Sequence, residues 1–233
     1  MPAAGRGRRR ALQLFLIAAA LVFAGLALWQ VERRSEKLAL IARVETRIDA
    51  EPVAAPPPEA WPAITRDSDE HRRVRVTGRY PALPGTPVKA VTERGPGYWL
   101  LAPLETDTGF IVYINRGFVP ALPAASPLRP EGPVTVTGLL RISEPGGGFL
   151  RSNDPEAGRW YSRDIAALAK TDGLTDVAPY FIDAATVEPP EPDGPVTGLT
   201  VIRFANNHLV YVLTWAALAV MSLALLFRVR RLG

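Results

Sequence analysis

Two histidines and no cysteine set the chemistry open to this 233-residue chain. Thiol redox catalysis, disulfide frameworks and thiolate metal sites are excluded, and a multi-ligand zinc or Fe–S site lacks ligands. His71 lies in the run RDSDEHRR, close to Asp67, Ser68 and Asp69. A hydrolytic triad could be drawn there, but triads are set by geometry, and neighbours in sequence seldom form one. A solvated charged turn is the expectation. There is no G-x-S-x-G, H-E-x-x-H or P-loop, and Gly95-Pro96-Gly97 stops short of a dinucleotide fingerprint. No catalytic residue is therefore expected.

His208 stands in a different setting. It follows Asn206-Asn207 where polar chain gives way to an apolar stretch, with Tyr211 and Trp215 at i+3 and i+7 on one helical face. Trp29-Gln30 closes an earlier apolar stretch in the same way. Imidazole, phenol and indole beside apolar surroundings suit a flat amphipathic ligand such as haem, whose iron takes axial histidine. On that reading His208 is the metal ligand, with Trp29, Tyr211 and Trp215 as further cofactor contacts. Aromatic and polar residues also gather at membrane interfaces for anchoring alone, and one imidazole is half of a bis-ligated site. Both readings stand on the residues by themselves.

The elements that must position these groups are two apolar stretches, residues 11–29 and 208–227. At ~1.5 Å per residue each spans about 28–30 Å as a helix, the thickness of a bilayer core. A cleavable signal peptide is the alternative for the first, but its apolar run exceeds the usual signal core and continues into an amphipathic pattern. Arg6, Arg8, Arg9 and Arg10 precede the first stretch, and Arg228, Arg230 and Arg231 follow the second. The positive-inside rule then puts both termini in the cytoplasm of a bacterial inner membrane and the long intervening segment in the periplasm. The formal charge of +4 belongs to these tails: without their seven cations, twenty remain against 23 acids. A basic face for nucleic acid loses its support.

Residues 1–10 and 228–233 are thus read as cytoplasmic tails, 11–29 and 208–227 as transmembrane helices, and 30–207 as the periplasmic part. Within it, residues 30–49 keep helical spacing at Val31, Leu38, Ile41, Val44 and Ile48. The prolines of 50–62 break that helix and form a linker or a strap. From Arg72 the period becomes two, and a β-rich core over 72–205 is expected, with strands in RRVRVTGRY, TPVKAVT, GYWLLAPLE, GFIVYINRG, PVTVTGLLRIS, RWYSRD, PYFIDA and LTVIRF. ETDTG reads as a hairpin turn, and IAALAK as a short helix between Asp164 and Gly173. Val-Thr-Gly recurs at 76–78, 136–138 and 196–198, as equivalent corners of a barrel or sandwich would. The fold class is α+β: a transmembrane helical hairpin carrying an antiparallel β domain, barrel- or sandwich-like, with short helices.

Ordered motifs then give a resemblance. They are Leu28-Trp29-Gln30 with Arg33, Arg34 and Lys37; VRVTGRY; GYWLLAPLETDTGFIVYINRGFVP around Asn115-Arg116-Gly117; VTVTGLLR; Asn153-Asp154; Trp160-Tyr161 with Asp164; Pro179 to Asp183; and Asn206-Asn207-His208-Leu209 with Tyr211, Thr214 and Trp215. In this order between two apolar stretches, they make the chain resemble the Surfeit locus protein 1 family, assembly factors of haem–copper cytochrome c oxidase. Phe118, Ala27 and Ala216 are mild departures from the family's usual tryptophan, glycine and aromatic. The resemblance implies a non-catalytic role in helping haem a reach the largest oxidase subunit, with His208 as the favoured ligand of transiently bound haem a. Expected partners are that subunit, haem-synthesis or other assembly factors, and membrane lipid. The alternative is an adaptor that binds the oxidase subunit without haem, with Asn115-Arg116-Gly117 as a contact surface; turn chemistry reads those three residues instead as the end of a hairpin.

Overall fold

The computed structural model describes residues 3–121, 130–148, 150–199 and 206–231. The chain divides into two units, Met1–Val44 with Arg203–Gly233, and Glu45–Ile202. Residues 200–204 of the expected LTVIRF strand, and the outer ends of both basic tails, lie outside the described residues.

The first unit holds α1 (Ala3–Asp49), whose last turn belongs to the second unit, and a later helix that starts at His208. Both are long and apolar enough to cross a membrane. Their buried positions are few: Leu16, Ala20, Gln30 and Val44 on α1, and Ala219, Ser222 and Leu226 on the later helix. Their other faces are bare apolar surface, with Phe15, Leu21, Val220 and Phe227 all more than half exposed. Water does not tolerate apolar surface on that scale, and lipid does.

In the second unit, β1 (Val53–Ala54), a 3₁₀ turn (Pro58–Ala63) and α2 (Arg66–Asp69) lead into β2 (Arg73–Arg79). The proline-rich stretch packs as a strap. Trp61 donates to the Pro56 carbonyl, Tyr180 donates to the same oxygen, and Trp61 meets Phe110 edge-on. Next come β3 (Thr86–Thr92), β4 (Gly95–Thr106), β5 (Ile111–Val119), β6 (Val134–Ile142), a minor pair β7 (Gly147–Gly148) and β8 (Arg151–Ser152), α3 (Ile165–Asp172) and β9 (Val177–Glu188). α4 (His208–Arg231) closes the chain order.

The main sheet runs β1-β2-β6-β9-β5-β4-β3, and a short β2–β4 pairing closes strands 2, 6, 9, 5 and 4 into a barrel. The sheet is mixed rather than antiparallel. β9 slots between β6 and β5, antiparallel to the first and parallel to the second, and β1 is parallel to β2. A connection as long as the one from β6 to β9, with α3 within it, permits such an insertion. β5 and β9 are consequently buried on both faces. Val112, Ile114, Tyr180 and Ile182 fill the barrel, while Tyr113 and Phe181 point outward beneath α3 and Trp160. This is why these two segments read as continuous apolar runs instead of alternating ones.

The Val-Thr-Gly strings at 76–78 and 136–138 lie opposite each other on β2 and β6. A Cβ on Gly78 would stand 2.2 Å from the Glu105 carbonyl oxygen, and one on Gly138 would stand 2.2 Å from that of Asp183. Glycine is needed at both: one sits where β2 meets β4, the other at a register shift between β6 and β9. The third string lies outside any strand. Expected RWYSRD forms isolated bridges, Trp160 to Val88 and Arg159 to Asp154, not a strand. Asn115-Arg116-Gly117 is no turn either. It lies inside β5, with Asn115 and Arg116 buried, because the chain turns earlier, at Thr106–Phe110.

Candidate functional site

In the helical unit, α4 begins at His208, with the Asn207 carbonyl accepting from the backbone N–H groups of Val210 and Tyr211. This fixes the His208 side chain on the first turn. Its Nδ1 lies 2.8 Å from Oε1 of Gln30 on α1, and Gln30 is buried. An amide oxygen can only accept, so Nδ1–H is the donor in this pair, and in a neutral imidazole that arrangement leaves the Nε2 lone pair for a ligand. Metal-binding histidines are held in the same way, one nitrogen donating to an acceptor while the other faces the metal. The donor set therefore fits one axial position on a haem iron.

Two turns along α4, Trp215 stacks on Phe23 of α1, ring centroids 5.8 Å apart and 21° from parallel. Trp29 and Tyr211 remain about half exposed, and Arg33 covers Trp29 with its guanidinium carbon 5.6 Å from the ring centroid. Of the four expected cofactor residues, His208 is positioned by Gln30 and Trp215 by Phe23. Trp29, midway along α1, and Tyr211, on the first turn of α4, each keep part of their aromatic surface exposed. Gln30 is the residue that sequence reasoning placed at the membrane edge without giving it a role. Its signal was there: apart from Gln13 it is the first uncharged polar side chain after the basic tail.

The barrel unit contains the other dense polar cluster. Asp183 of β9 accepts from Asn115 at 2.8 Å and from Arg141 at 2.8 Å, with Arg163 at 3.4 Å. Arg141 donates in turn to Glu70, whose carboxylate also caps the Ile142 N–H, and Arg163 pairs with Glu144. Asn115 Oδ1 accepts from the Gly117 N–H, at a glycine whose φ is +128°. Burial works against the charge of Arg141, but Asp183 and Glu70 outweigh it and raise its pKa above the ordinary value. Burial likewise raises Glu144, yet the bonds and charge of Arg163 win and lower it. Arg116 is buried against Glu191, with the Tyr80 ring 5.2 Å from its guanidinium carbon.

His71 joins this cluster, so the solvated turn expected there is corrected. Its side chain is only 15% exposed, its backbone N–H donates to Leu140, and Nε2 lies 4.0 Å from Glu70. Asp67 stays exposed, but the other two acids of the RDSDEHRR run turn inward because they cap α2 and β6: Asp69 accepts from Thr65 and Ser68, and Glu70 from Arg141. Burial and the nearby Arg141 charge lower the His71 pKa, against the opposing pull of Glu70 and Asp183. The carboxylates of Asp69, Glu70, Glu144 and Asp183 are each committed to an arginine or a backbone N–H, so none of these four is poised as a general base. Among the described residues no group of three or more His, Cys, Asp or Glu could hold a metal ion.

The sequence profile of the SURF1 family matches residues 17–220, most of the chain, reaching into both helices. Surfeit locus protein 1 of Rattus norvegicus is 36% identical over 237 residues, covering 93% of this chain and 75% of the relative. The Homo sapiens protein of that name is 35% identical, covering 88% and 72%. A SURF1-like protein of Monosiga brevicollis is 33% identical, covering 99% and 92%. With the family profile and relatives above 30% identity spanning nearly its whole length, the chain belongs to the SURF1 family.

Proposed function

We propose that the chain is a membrane-anchored, non-catalytic assembly factor for haem–copper cytochrome c oxidase, which holds haem a at His208 on its way to the largest oxidase subunit. The observation that carries this reading is the Gln30–His208 hydrogen bond, which engages Nδ1 and leaves Nε2 on the opposite side of the ring. Haem a is cargo here, and its iron supplies the Lewis acid that the imidazole ligates. The protein's own residues do the rest. Gln30 fixes the tautomer, the Phe23–Trp215 stack sets the spacing of the helices, and Trp29 and Tyr211 offer flat surface to a macrocycle. The two helices form a hairpin in the bacterial inner membrane with both basic tails in the cytoplasm, and the barrel stands in the periplasm, where it meets the oxidase subunit and the factors that supply haem.

The test is an absorption spectrum of the full chain purified in detergent after co-expression with haem a synthesis, beside His208→Ala. A haem a spectrum in the wild type that disappears in the variant supports cargo binding at His208. No haem in either, from folded protein, sinks the ligand assignment and leaves an adaptor, to be checked by pull-down of the oxidase subunit.

A further inference from the structure

β3 is the outer strand of the sheet, paired on one side with β4. The N–H of Lys89 donates away from β4, to the Trp160 carbonyl. Backbone groups two residues apart point the same way in an antiparallel pair, so the N–H and C=O of Val91 also face outward. Among the described residues no backbone partner is recorded for them. Val91 is 85% exposed, an apolar β-branched residue at an open sheet edge.

The side chains around that edge share one character. Lys89 lies opposite Tyr98 across β3 and β4, on the same face as Val91. The Lys89 ammonium is 5.3 Å from the Tyr161 ring centroid, and the Arg151 guanidinium carbon is 5.5 Å from the same centroid. Two cations thus share one aromatic ring. Among the described residues neither has a carboxylate partner, whereas Arg116, Arg141, Arg159 and Arg163 all do. With Tyr98 and Pro120 they line a groove of about 440 Å³ that contains no acidic side chain, a size within the range of ligand sites. Glu93 lies in the turn beyond β3 and does not line it.

We propose that this groove binds an extended acidic segment of a partner protein, which adds to the β3 edge at Val91 and sets its carboxylates against Lys89 and Arg151. The two features that point to this occupant are independent. Unmatched cations on aromatic walls call for anionic groups, and the open rung calls for a backbone in strand conformation. Alternation along an added strand brings every second side chain to the face that carries Lys89 and Val91. The site is separate from His208, and the assignment does not rest on haem binding.

The probe is a fluorescein-labelled hexapeptide of alternating glutamate and valine, titrated by anisotropy against the full chain in detergent. We expect saturable binding that weakens as salt rises. It should fall at least tenfold with Lys89→Glu or Arg151→Glu, and equally when glutamine replaces glutamate in the probe. Val91→Pro, which removes the outward N–H on a strand that already contains Pro87, should weaken binding about tenfold. Far-UV circular dichroism verifies each variant, and Lys89→Gln serves if a charge reversal unfolds the barrel. Absence of binding, or equal binding of the glutamine probe, overturns the proposal. So does full affinity in Val91→Pro, or displacement by inorganic phosphate at the peptide's own concentration, which marks a simple anion site.

Discussion

The helical unit and the barrel unit use polar side chains in opposite ways. In the barrel, Asp183 alone serves Asn115, Arg141 and Arg163, and the arginines pass on to Glu70 and Glu144 until the cluster is closed. In the helical unit an imidazole meets an amide through one ring nitrogen, and among the described residues the other has no hydrogen-bond partner. Buried charge is tolerated only when it is matched, so a closed network stabilises a fold and offers nothing to a ligand. An unmatched lone pair in apolar surroundings does the reverse. Under the proposed function, the difference separates the residues that build this protein from those assigned to a cargo.

The strongest way to break the comparison is Asp183→Ala. It leaves Arg141 and Arg163 facing each other's fields without their shared anion, and frees Asn115 from its cross-strand partner. Removing one partner from a buried pair typically costs ~3–5 kcal/mol. Hydrogen exchange of β5 and β9 should show that loss of protection while α1 and α4 are unchanged. Arg159→Ala breaks the exposed pair with Asp154, on side chains 60% and 38% accessible, and should leave protection as it was. Unchanged exchange in Asp183→Ala would mean that the network is not what joins β5, β6 and β9.

On the helical side, Gln30→Leu removes the acceptor of the His208 Nδ1 proton without touching the imidazole. Loss of such a partner typically weakens metal binding ~10–100-fold. Haem titration of the purified protein should show that weakening, with Gln30→Glu restoring affinity because it keeps an acceptor. Equal affinity in Gln30→Leu would show that His208 is oriented by something else.

How far each region could be read beforehand follows the same division. α3 was legible from its caps, though it runs two residues beyond IAALAK: N-cap Asp164 bonds the Ala167 N–H, and Gly173 adopts the left-handed conformation that ends it. The hairpin at Thr106–Phe110 was legible from ETDTG. These are local signals. The Asn115–Asp183 contact joins groups 68 residues apart, and it depends on β9 entering between β6 and β5 in parallel register with β5. Nothing in either segment announces that insertion, so Asn115-Arg116-Gly117 read as a turn when it is a buried strand keyed to Pro179–Asp183. His208 was singled out by its neighbours Tyr211 and Trp215. Its partner Gln30 lies 178 residues earlier, and only the geometry shows that the two meet.

The smallest expected effect comes from His71, the one histidine that the barrel absorbs. Its pKa is lowered by burial and by Arg141, so the unfolded chain binds a proton at His71 more readily than the folded barrel does. The contribution of His71 to stability is therefore present above its unfolded pKa, about 6.5, and is lost as pH falls below it. Glu144 and Asp69 are also depressed, but carboxylates give up their contribution at lower pH, so the interval from pH 7 to 5 isolates the imidazole. His71 has φ +66°, a conformation that asparagine tolerates better than most residues, which makes His71→Asn the suitable variant. Hydrogen exchange of β6 at pH 7 and pH 5 should show protection falling in the wild type and falling less in His71→Asn, with His208 common to both. An equal fall in the two proteins would place the pH sensitivity outside the barrel's network, and the closed cluster would then be insensitive to protons over this interval.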